Sequence, residues 1–338
     1  MWFAGNMWLA GILLAGSTTL LPAAKNLEVY SIDVEGGQAT LVVSPSGESL
    51  LVDSGWGGHN KRDAERIAAA AKAAGVKKID YLVTTHYHTD HVGGIGQLAE
   101  KLPIRNFVDH GPSVENDKAA QVLYNEYAAF RAKGTHIQVK PGDTIPIKGL
   151  DVKVLAAGGK VIDAPLPGAG QPNAECAGFQ LHDADASENA QSVGILITYG
   201  SFRLLDMGDL TWNKEKDLVC PTNKIGNVDL YVVSHHGMNM SGSPQWVHAL
   251  HPKAALMNNG AKKGGSVEAW QTIHDTPGVQ DIWQLHFAVA GGKDHNSADP
   301  FIANLDEICE GKWIRVDAQK DGSFKLYNSR NKYEKTYQ

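Results

Sequence analysis

Three histidines and one aspartate fall within six residues of this sequence, directly after a segment that is typical of a β-strand. The strand-like segment spans residues 79–84, and the four polar residues that follow it are His86, His88, Asp90 and His91. Zinc and similar transition-metal ions prefer imidazole and carboxylate ligands. Because alternate residues of an extended segment point the same way, His86 and His88 can bind one ion. Asp90 and His91 follow in the turn and can face a second ion, so the spacing predicts metal chemistry rather than isolated surface or core histidines.

The H-x-H-x-D-H pattern after a strand resembles the metallo-β-lactamase superfamily, and other segments resemble further motifs of that family in the same order. Residues 50–55 resemble its first motif, in which an aspartate, here Asp53, orients the metal site. Residues 204–210 resemble the strand whose Gly-Asp carboxylate, here Asp209, bridges two ions. Residues 232–237 resemble the last ligand histidine, again just past a strand.

The opening segment and the His-His-Gly sequence narrow this resemblance. Residues 30–39, Tyr-Ser-Ile-Asp-Val-Glu-Gly-Gly-Gln-Ala, and residues 235–237 are similar to the hydrolase domain of DNA-uptake competence proteins and to phosphorylcholine esterases. The match covers roughly residues 27–290. The resemblance implies an α/β fold, a four-layer αββα sandwich, with a hydrolase domain over residues 27–300. Residues 301–338 are expected to form a C-terminal β-hairpin extension, because two strand-like segments flank a Lys-Asp-Gly turn there.

The resemblance also implies a set of ligands for two ions. His86 and His88 would hold the first ion, Asp209 would bridge, and the second ion would be held by Asp90, His91 and His236. His235 is the alternative to His236, which we favour because it directly precedes Gly237 as in the family's His-Gly ending. Asp90 could also orient the attacking water. Asp53 is expected behind the ligands, where it fixes their orientation; the alternative is that it caps the Ser54-Gly55 turn.

The sequence departs from the family pattern at one ligand position. Many members supply another histidine shortly before the strand that leads to the bridging aspartate, but residues 187–194 contain none. His110, His182 or water could complete the first site, and the departure disfavours β-lactamase activity. Residues 156–192 are rich in Gly, Pro, Ala and Asp, which predicts a long loop that is either a wall of the site or a surface insertion.

The composition and net charge of the chain limit the classes of molecule that it can bind. The chain has 338 residues, 43% of them apolar, and a net charge of -6, which argues against a nonspecific nucleic-acid surface. We therefore expect a small-molecule or phosphoester substrate and no stable nucleic-acid partner. The oligomeric state stays open.

The N-terminus resembles a signal peptide. Residues 7–21 are uncharged and largely apolar, and small residues near Ala23 and Ala24 offer a cleavage site, so residues 1–23 are assigned to the signal. A buried N-terminal helix or a lipid-held anchor is the alternative. Removal of this segment would leave no integral membrane segment in the mature chain. The three cysteines lack C-x-x-C spacing, and export would permit one disulfide and leave one thiol.

Together these features predict an exported, metal-dependent hydrolase in the periplasm or medium. Two zinc ions are expected, with manganese as a possible substitute, and a metal-bound hydroxide would attack a phosphodiester or phosphoester bond. The alternative from the same superfamily is hydrolysis of a lactone or β-lactam. A noncatalytic or redox relative is a third reading, but the full set of ligands argues against a binding protein, and no flavin-binding domain follows.

Overall fold

The computed structural model describes residues 1–2 and 26–338, so most of the expected signal peptide lies outside the described residues. Within the described residues, no helix combines the length and apolar character needed to cross a membrane. In chain order the strands are β1 (Leu27–Ser31), β2 (Thr40–Val43), β3 (Ser49–Val52), β4 (Ile79–Val83), β5 (Ile104–Asp109), β6 (Thr135–Gln138), β7 (Thr144–Ile145), β8 (Asp151–Ala157), β9 (Lys160–Val161), β10 (Gln171–Pro172), β11 (Gly194–Tyr199), β12 (Phe202–Asp206), β13 (Thr222–Asn223), β14 (Leu230–Val232), β15 (Ala254–Met257), β16 (Asp281–His286), β17 (Ile302–Asn304), β18 (Ile314–Ala318), β19 (Phe324–Asn328) and β20 (Glu334–Tyr337). The α-helices are α1 (Arg62–Ala73), α2 (Thr89–Val92), α3 (Ile95–Ala99), α4 (Lys118–Arg131), α5 (Trp212–Val219), α6 (Pro244–Leu250) and α7 (Val267–His274).

The strands form two large sheets. The first has the order β20-β19-β18-β1-β2-β3-β4-β5-β6, and the second has the order β17-β16-β15-β14-β12-β11-β8-β7, with β9 paired to β8. A separate two-stranded sheet pairs β10 with β13. Pairing is parallel from β3 to β6 in the first sheet, and from β12 through β14, β15 and β16 to β17 in the second.

Three apolar clusters define the layers. One cluster contains buried residues of both sheets, such as Val52 and Leu204, and fills the space between them. A second packs the outer face of the first sheet against α1, α3 and α4, with Ile67 and Tyr127 fully buried. A third packs the outer face of the second sheet against α5, α6 and α7, with Trp246 fully buried. The four-layer αββα arrangement expected from the sequence is confirmed.

The C-terminal strands are part of this sandwich. The expected hairpin is present, since β18 pairs antiparallel with β19, but β18 also pairs with β1, and β20 adds a third strand. Ile314, Val316 and Leu326 belong to the core between the sheets. The strand β17 lies in the second sheet although it follows residue 300. Residues 301–338 therefore complete both sheets and are not a separate extension, because alternate side chains of these strands are buried between the sheets.

The long loop over residues 156–192 is tied to the second half of the molecule. The strand β10 within it pairs with β13, and a disulfide joins Cys176 to Cys220 at the end of α5. Cys309 carries the free thiol.

Strand direction explains where polar residues gather. Asp53 directly follows β3, and Thr84 to His86 follow β4. In the second sheet, Asp209 follows β12 and His235 follows β14. The carboxyl ends of parallel strands lie at one edge of a sheet, so both sheets deliver their polar residues to the same edge of the sandwich.

One buried carboxyl group, on a helix that covers the second sheet, should make the stability of the fold depend on pH. Glu215 on α5 is fully buried, and burial raises its pKa to about 8, although Gly242 N donates to Oε2 at 2.7 Å. A raised pKa means that the folded state keeps a proton that the unfolded chain releases. The free energy of unfolding should therefore fall as pH rises from about 4.3, the usual pKa of glutamate, to about 8.

We expect Glu215→Gln to remove most of this loss, because the amide is neutral at every pH and keeps an oxygen for Gly242 N. Urea denaturation at about pH 5 and about pH 9 should show a smaller pH effect in the variant than in the native protein. Glu126→Gln, at an exposed position of α4, measures the effect of removing one surface charge. An equal pH effect in native protein and Glu215→Gln would contradict the assignment.

Candidate metal centre

Four buried side chains form the centre of the polar edge. Ligand atoms of Asp90, His91, Asp209 and His236 all lie within 4.8 Å of one another. His91 Nε2 is 3.2 Å from Asp209 Oδ2 and 3.2 Å from His236 Nε2. His236 Nε2 is 3.2 Å from Asp90 Oδ2. The short helix α2 carries Asp90 and His91, so a local turn delivers these two ligands while Asp209 and His236 come from the second sheet.

The first two histidines of the motif lie beside this group. His86 Nε2 is 3.1 Å from His88 Nδ1 and 4.0 Å from Asp209 Oδ2. His86 is fully buried, whereas His88 is partly exposed. The structure thus brings these two histidines together beside Asp209, and their binding of a first ion stays a prediction.

Both histidines of the His-His-Gly segment reach Asp209. His236 Nε2 is 3.3 Å from Oδ1, and His235 Nε2 is 3.4 Å from Oδ2. The backbone of His235 and of His236 is left-handed, with φ of 54° and 56°. Each such residue costs about 1–3 kcal/mol, a strain that is found mainly at functional sites. The sequence posed the two histidines as alternatives, but this backbone turn places both of them at the carboxylate.

Asp53 lies behind the centre and holds His91. Its carboxylate accepts hydrogen bonds from Thr85 N at 2.8 Å, Thr85 Oγ1 at 2.7 Å and His91 Nδ1 at 2.7 Å. Because Asp53 holds the proton on Nδ1, Nε2 is the ring nitrogen that faces Asp90 and Asp209 and that would bind metal once its own proton is released. Asp53 therefore lies directly behind His91, and its role in orienting a metal ligand stays a prediction.

The electrostatics fit a divalent cation. Burial lowers the pKa of His91, but Asp209, Asp90 and Asp53 together raise it well above its usual value. Burial raises the pKa of Asp209, yet His236, His91 and His235 bring it well below the usual range. Among the described residues, Asp209 Oδ1 is one of the buried oxygens that no hydrogen bond of normal geometry satisfies. The protein alone compensates these carboxylates with a proton on His91, and metal ions would supply the missing positive charge.

The residues considered for the missing ligand have other roles. His110 Nε2 contacts Glu188 Oε2 at 3.0 Å, and exposed His182 stacks on Trp212 with ring centroids 4.4 Å apart. Ser192 Oγ lies 3.5 Å from His86 Nδ1, whereas Nε2 is the nitrogen of His86 that faces Asp209. Residues 187–194 thus place no histidine at the centre, whereas His235 adds an imidazole 3.4 Å from Asp209 Oδ2.

Two glutamates support the motif and were missed by sequence reasoning. Glu188 is buried and accepts from Tyr87 N at 3.2 Å, so it fixes the backbone between His86 and His88. Glu115 Oε1 lies 3.1 Å from His88 Nε2. No spacing pattern marks either residue, because both contacts join segments far apart in the chain.

Lys263 is a further unpredicted residue at the centre. Its ammonium group contacts Asp90 Oδ2 and donates to Gly36 O at 2.8 Å, and it remains partly exposed. The neighbouring Asn258 and Asn259, which follow β15, are buried instead: Asn258 Nδ2 donates to Gln38 Oε1 at 3.2 Å and Asn259 Nδ2 to His286 O at 2.8 Å. Lys263 is thus the side chain of this segment that offers positive charge next to the metal ligands.

A cavity of about 750 Å³ opens beside His88. Its walls include Tyr87 and Leu123, and its charged residues are Glu115, Asp117, Lys118 and Glu126. Three carboxylates against one ammonium give this cavity a negative lining.

The sequence and structure were compared with known proteins. Residues 32–172 match the model of the metallo-β-lactamase superfamily. The chain is 26% identical to ComE operon protein 3 of Bacillus subtilis (strain 168) over 249 residues, which cover 69% of this chain and 28% of that protein. It is 29% identical to ribonuclease Z of Methanopyrus kandleri over 117 residues, which cover 34% of this chain and 37% of that protein. Igni18, described as a metallo hydrolase from Ignicoccus hospitalis, overlaps 87% of this chain and all of its own length, with 12% identity and a TM-score of 0.44. The chain spans well under half the length of the first two relatives.

We expect Asp53→Asn to lower zinc affinity about 10- to 100-fold, because the amide no longer holds the Nδ1 proton of His91 as a carboxylate does. Competition with a chromophoric chelator measures this affinity. Asp109→Asn is the matched control, since Asp109 is also buried at a strand end of the first sheet but contacts Tyr127 and Arg131 instead of the centre. Unchanged zinc affinity in Asp53→Asn, or an equal loss in Asp109→Asn, would contradict the orienting role.

Proposed function

We propose that this chain is a metal-dependent hydrolase of the metallo-β-lactamase superfamily, whose model matches residues 32–172, and that it acts on phosphodiester or phosphoester bonds after export. The observation that carries the proposal is the buried cluster around Asp209, in which carboxylates and imidazoles of both sheets converge. Two zinc ions are the cofactor that these donors favour, with manganese as an alternative. Bound there, divalent ions make a water molecule acidic and stabilise charge on the attacking and leaving oxygens.

The residues divide into two ligand groups that share Asp209. His86 Nε2 and His235 Nε2 lie 4.0 Å and 3.4 Å from Asp209 Oδ2, and His86 Nε2 lies 3.1 Å from His88 Nδ1. These three histidines would hold the first ion. The second ion would be held by Asp90, His91 and His236, whose ligand atoms lie 3.2 Å from one another in the pairs His91–His236 and His236–Asp90. Asp53 keeps His91 in the tautomer that can bind.

Lys263 favours an anionic substrate at the reacting centre. Its ammonium group contacts Asp90 Oδ2, an oxygen that would also be a metal ligand. When a metal ion binds this oxygen, the ammonium group becomes available to bind another anion. A phosphoryl group offers oxygens that such a charge can bind. The absence of a histidine in residues 187–194 separates the site from the β-lactamase pattern.

The charge of the adjoining cavity limits which groups a substrate can carry beside the scissile bond. Its negative lining accepts a neutral or positively charged group beside the scissile bond and repels a long polyanion. Small phosphodiesters or phosphorylated head groups therefore fit better than nucleic acids, in line with the net charge of -6.

A substrate panel tests the reaction class. With zinc or manganese present, kcat/KM for bis-p-nitrophenyl phosphate should exceed that for a lactone and for a chromogenic cephalosporin. Lys263→Met should lower kcat/KM for the phosphodiester about tenfold or more through loss of one charged contact, while zinc content stays the same. Lys262→Met is the control, because Lys262 pairs with Glu307 at the surface. Higher efficiency on the lactone or cephalosporin than on every phosphoester would show the acyl hydrolase alternative instead.

Two features support export. The apolar run near the N-terminus resembles a signal peptide, and the structure joins Cys176 to Cys220. Disulfides persist in oxidising compartments such as the periplasm or the extracellular space.

Mass spectrometry of the protein from its native host should therefore find a chain that begins near residue 24, in the periplasm or medium, with Cys176 bonded to Cys220. Recovery from the cytosol with Met1 intact and both cysteines reduced would contradict export.

A further inference from the structure

A second group of metal-ligand side chains lies away from the Asp209 cluster. Ligand atoms of Asp33, Glu35, His286 and Cys309 all fall within 4.8 Å of one another. Asp33 and Glu35 follow β1, His286 ends β16, and Cys309 lies in the loop between β17 and β18. Segments up to 276 residues apart in the chain thus meet at one point.

The donor atoms face one another at short range. His286 Nε2 is 2.8 Å from Asp33 Oδ1, 3.4 Å from Glu35 Oε2 and 3.8 Å from Cys309 Sγ. Cys309 Sγ is 3.1 Å from Asp33 Oδ2 and 3.4 Å from Glu35 Oε1. Asp33 and His286 are fully buried, and Glu35 and Cys309 are partly buried. Ligands about 2.0–2.3 Å from a tetrahedral ion lie about 3.3–3.8 Å apart, so three of these distances already match and the two shorter ones would lengthen by a few tenths of an ångström.

The two carboxylates of this group face a single guanidinium. Arg66 is the cation that contacts the group: Nη1 lies 2.7 Å from Asp33 Oδ2 and 3.1 Å from Glu35 Oε1, and Nη2 lies 3.4 Å from Cys309 Sγ. With a neutral imidazole at His286, which is the form that binds metal, two carboxylates exceed one guanidinium by a single negative charge. A divalent cation that converts the thiol to a thiolate would make the whole group neutral, which lowers the cost of burying it.

We propose that Asp33, Glu35, His286 and Cys309 bind one divalent transition-metal ion of the zinc class at a structural site separate from the hydrolytic centre. One sulfur, one imidazole nitrogen and two carboxylate oxygens form a borderline-soft donor set that suits zinc over magnesium or calcium. Four protein ligands close the coordination of a tetrahedral ion and leave no position for substrate, which is the pattern of structural sites. Arg66 stays beside the carboxylates and orients them.

The position of the site explains what the ion would stabilise. Cys309 is joined through the ion to β1 and β16, so the loop before β18 is tied to both sheets. The turn after Glu35 then contacts the hydrolytic centre, since Gly36 O accepts from Lys263 and Gln38 N donates to Asp90 O at 3.1 Å. Metal at the second site should therefore raise the stability of the fold and help to fix the turn beneath Asp90.

Cobalt(II) tests the proposal without reference to activity. Only a thiolate ligand gives an intense sulfur-to-cobalt charge-transfer band in the near ultraviolet, and none of the residues of the hydrolytic centre is a cysteine. Titration of the metal-free, non-reduced protein with Co2+ should produce this band with a stoichiometry of one, and Zn2+ should abolish it. Cys309→Ser should lose the band and bind one equivalent fewer, while the bands from nitrogen and oxygen ligands remain.

Glu35→Gln keeps the sulfur and removes one ligand charge, so the band should appear only at Co2+ concentrations at least tenfold higher. Asp209→Asn, which damages the hydrolytic centre, should leave the charge-transfer band in place. Failure of the proposed hydrolase activity with the band intact would leave this site standing. The absence of the band at saturating Co2+, or its persistence in Cys309→Ser, would show that the four residues form only a hydrogen-bonded network with Arg66.

Discussion

The burial of negative charge at Asp209 is the constraint on which the site and its surroundings depend. A carboxylate in the interior loses its hydration, and it stays ionised only when positive charge or hydrogen-bond donors replace that hydration. The fold also buries the carboxylate of Asp90 within 4.8 Å of Asp209, so a second negative charge must be compensated at the same place. Part of this negative charge is compensated by the imidazoles of His91, His235 and His236. Divalent metal ions would compensate the rest.

This constraint accounts for several costly local features. The left-handed backbone at His235 and His236 directs two imidazoles to opposite oxygens of one carboxylate. Asp53 also has a left-handed backbone, with φ of 59°, and holds the proton of His91. Each feature destabilises the chain locally but fixes a donor at the centre. A site with loosely held ligands would need less strain and would also hold metal less well.

Sequence reasoning found the parts of the site that are encoded by short spacing. The motif at His86 to His91 lies within one strand end and one helical turn. The alternation of side chains along an extended segment, together with the residue types, was therefore enough to predict that these side chains lie close together. Asp53 and Asp209 were identified because each follows a strand within a recognisable motif.

The remaining parts depend on contacts between distant segments. Glu188, Lys263 and Cys309 have no local pattern, and each acquires a role only when the two sheets are packed together. Strand β16 was not predicted, because its buried residues include Trp283, Gln284 and His286 and show neither strict alternation nor a continuous apolar run. The C-terminal strands were recognised, but their pairing with β1 could not be read from a local hairpin pattern.

The most direct test of the account is an anomalous-difference map from crystals of the protein grown with zinc, with data collected on both sides of the zinc absorption edge. The account predicts two peaks at the hydrolytic centre, one on each side of the Asp209 carboxylate, with His86 and His88 at the first and His91 and His236 at the second. A map in which saturating zinc gives no peak in contact with Asp209 would contradict it.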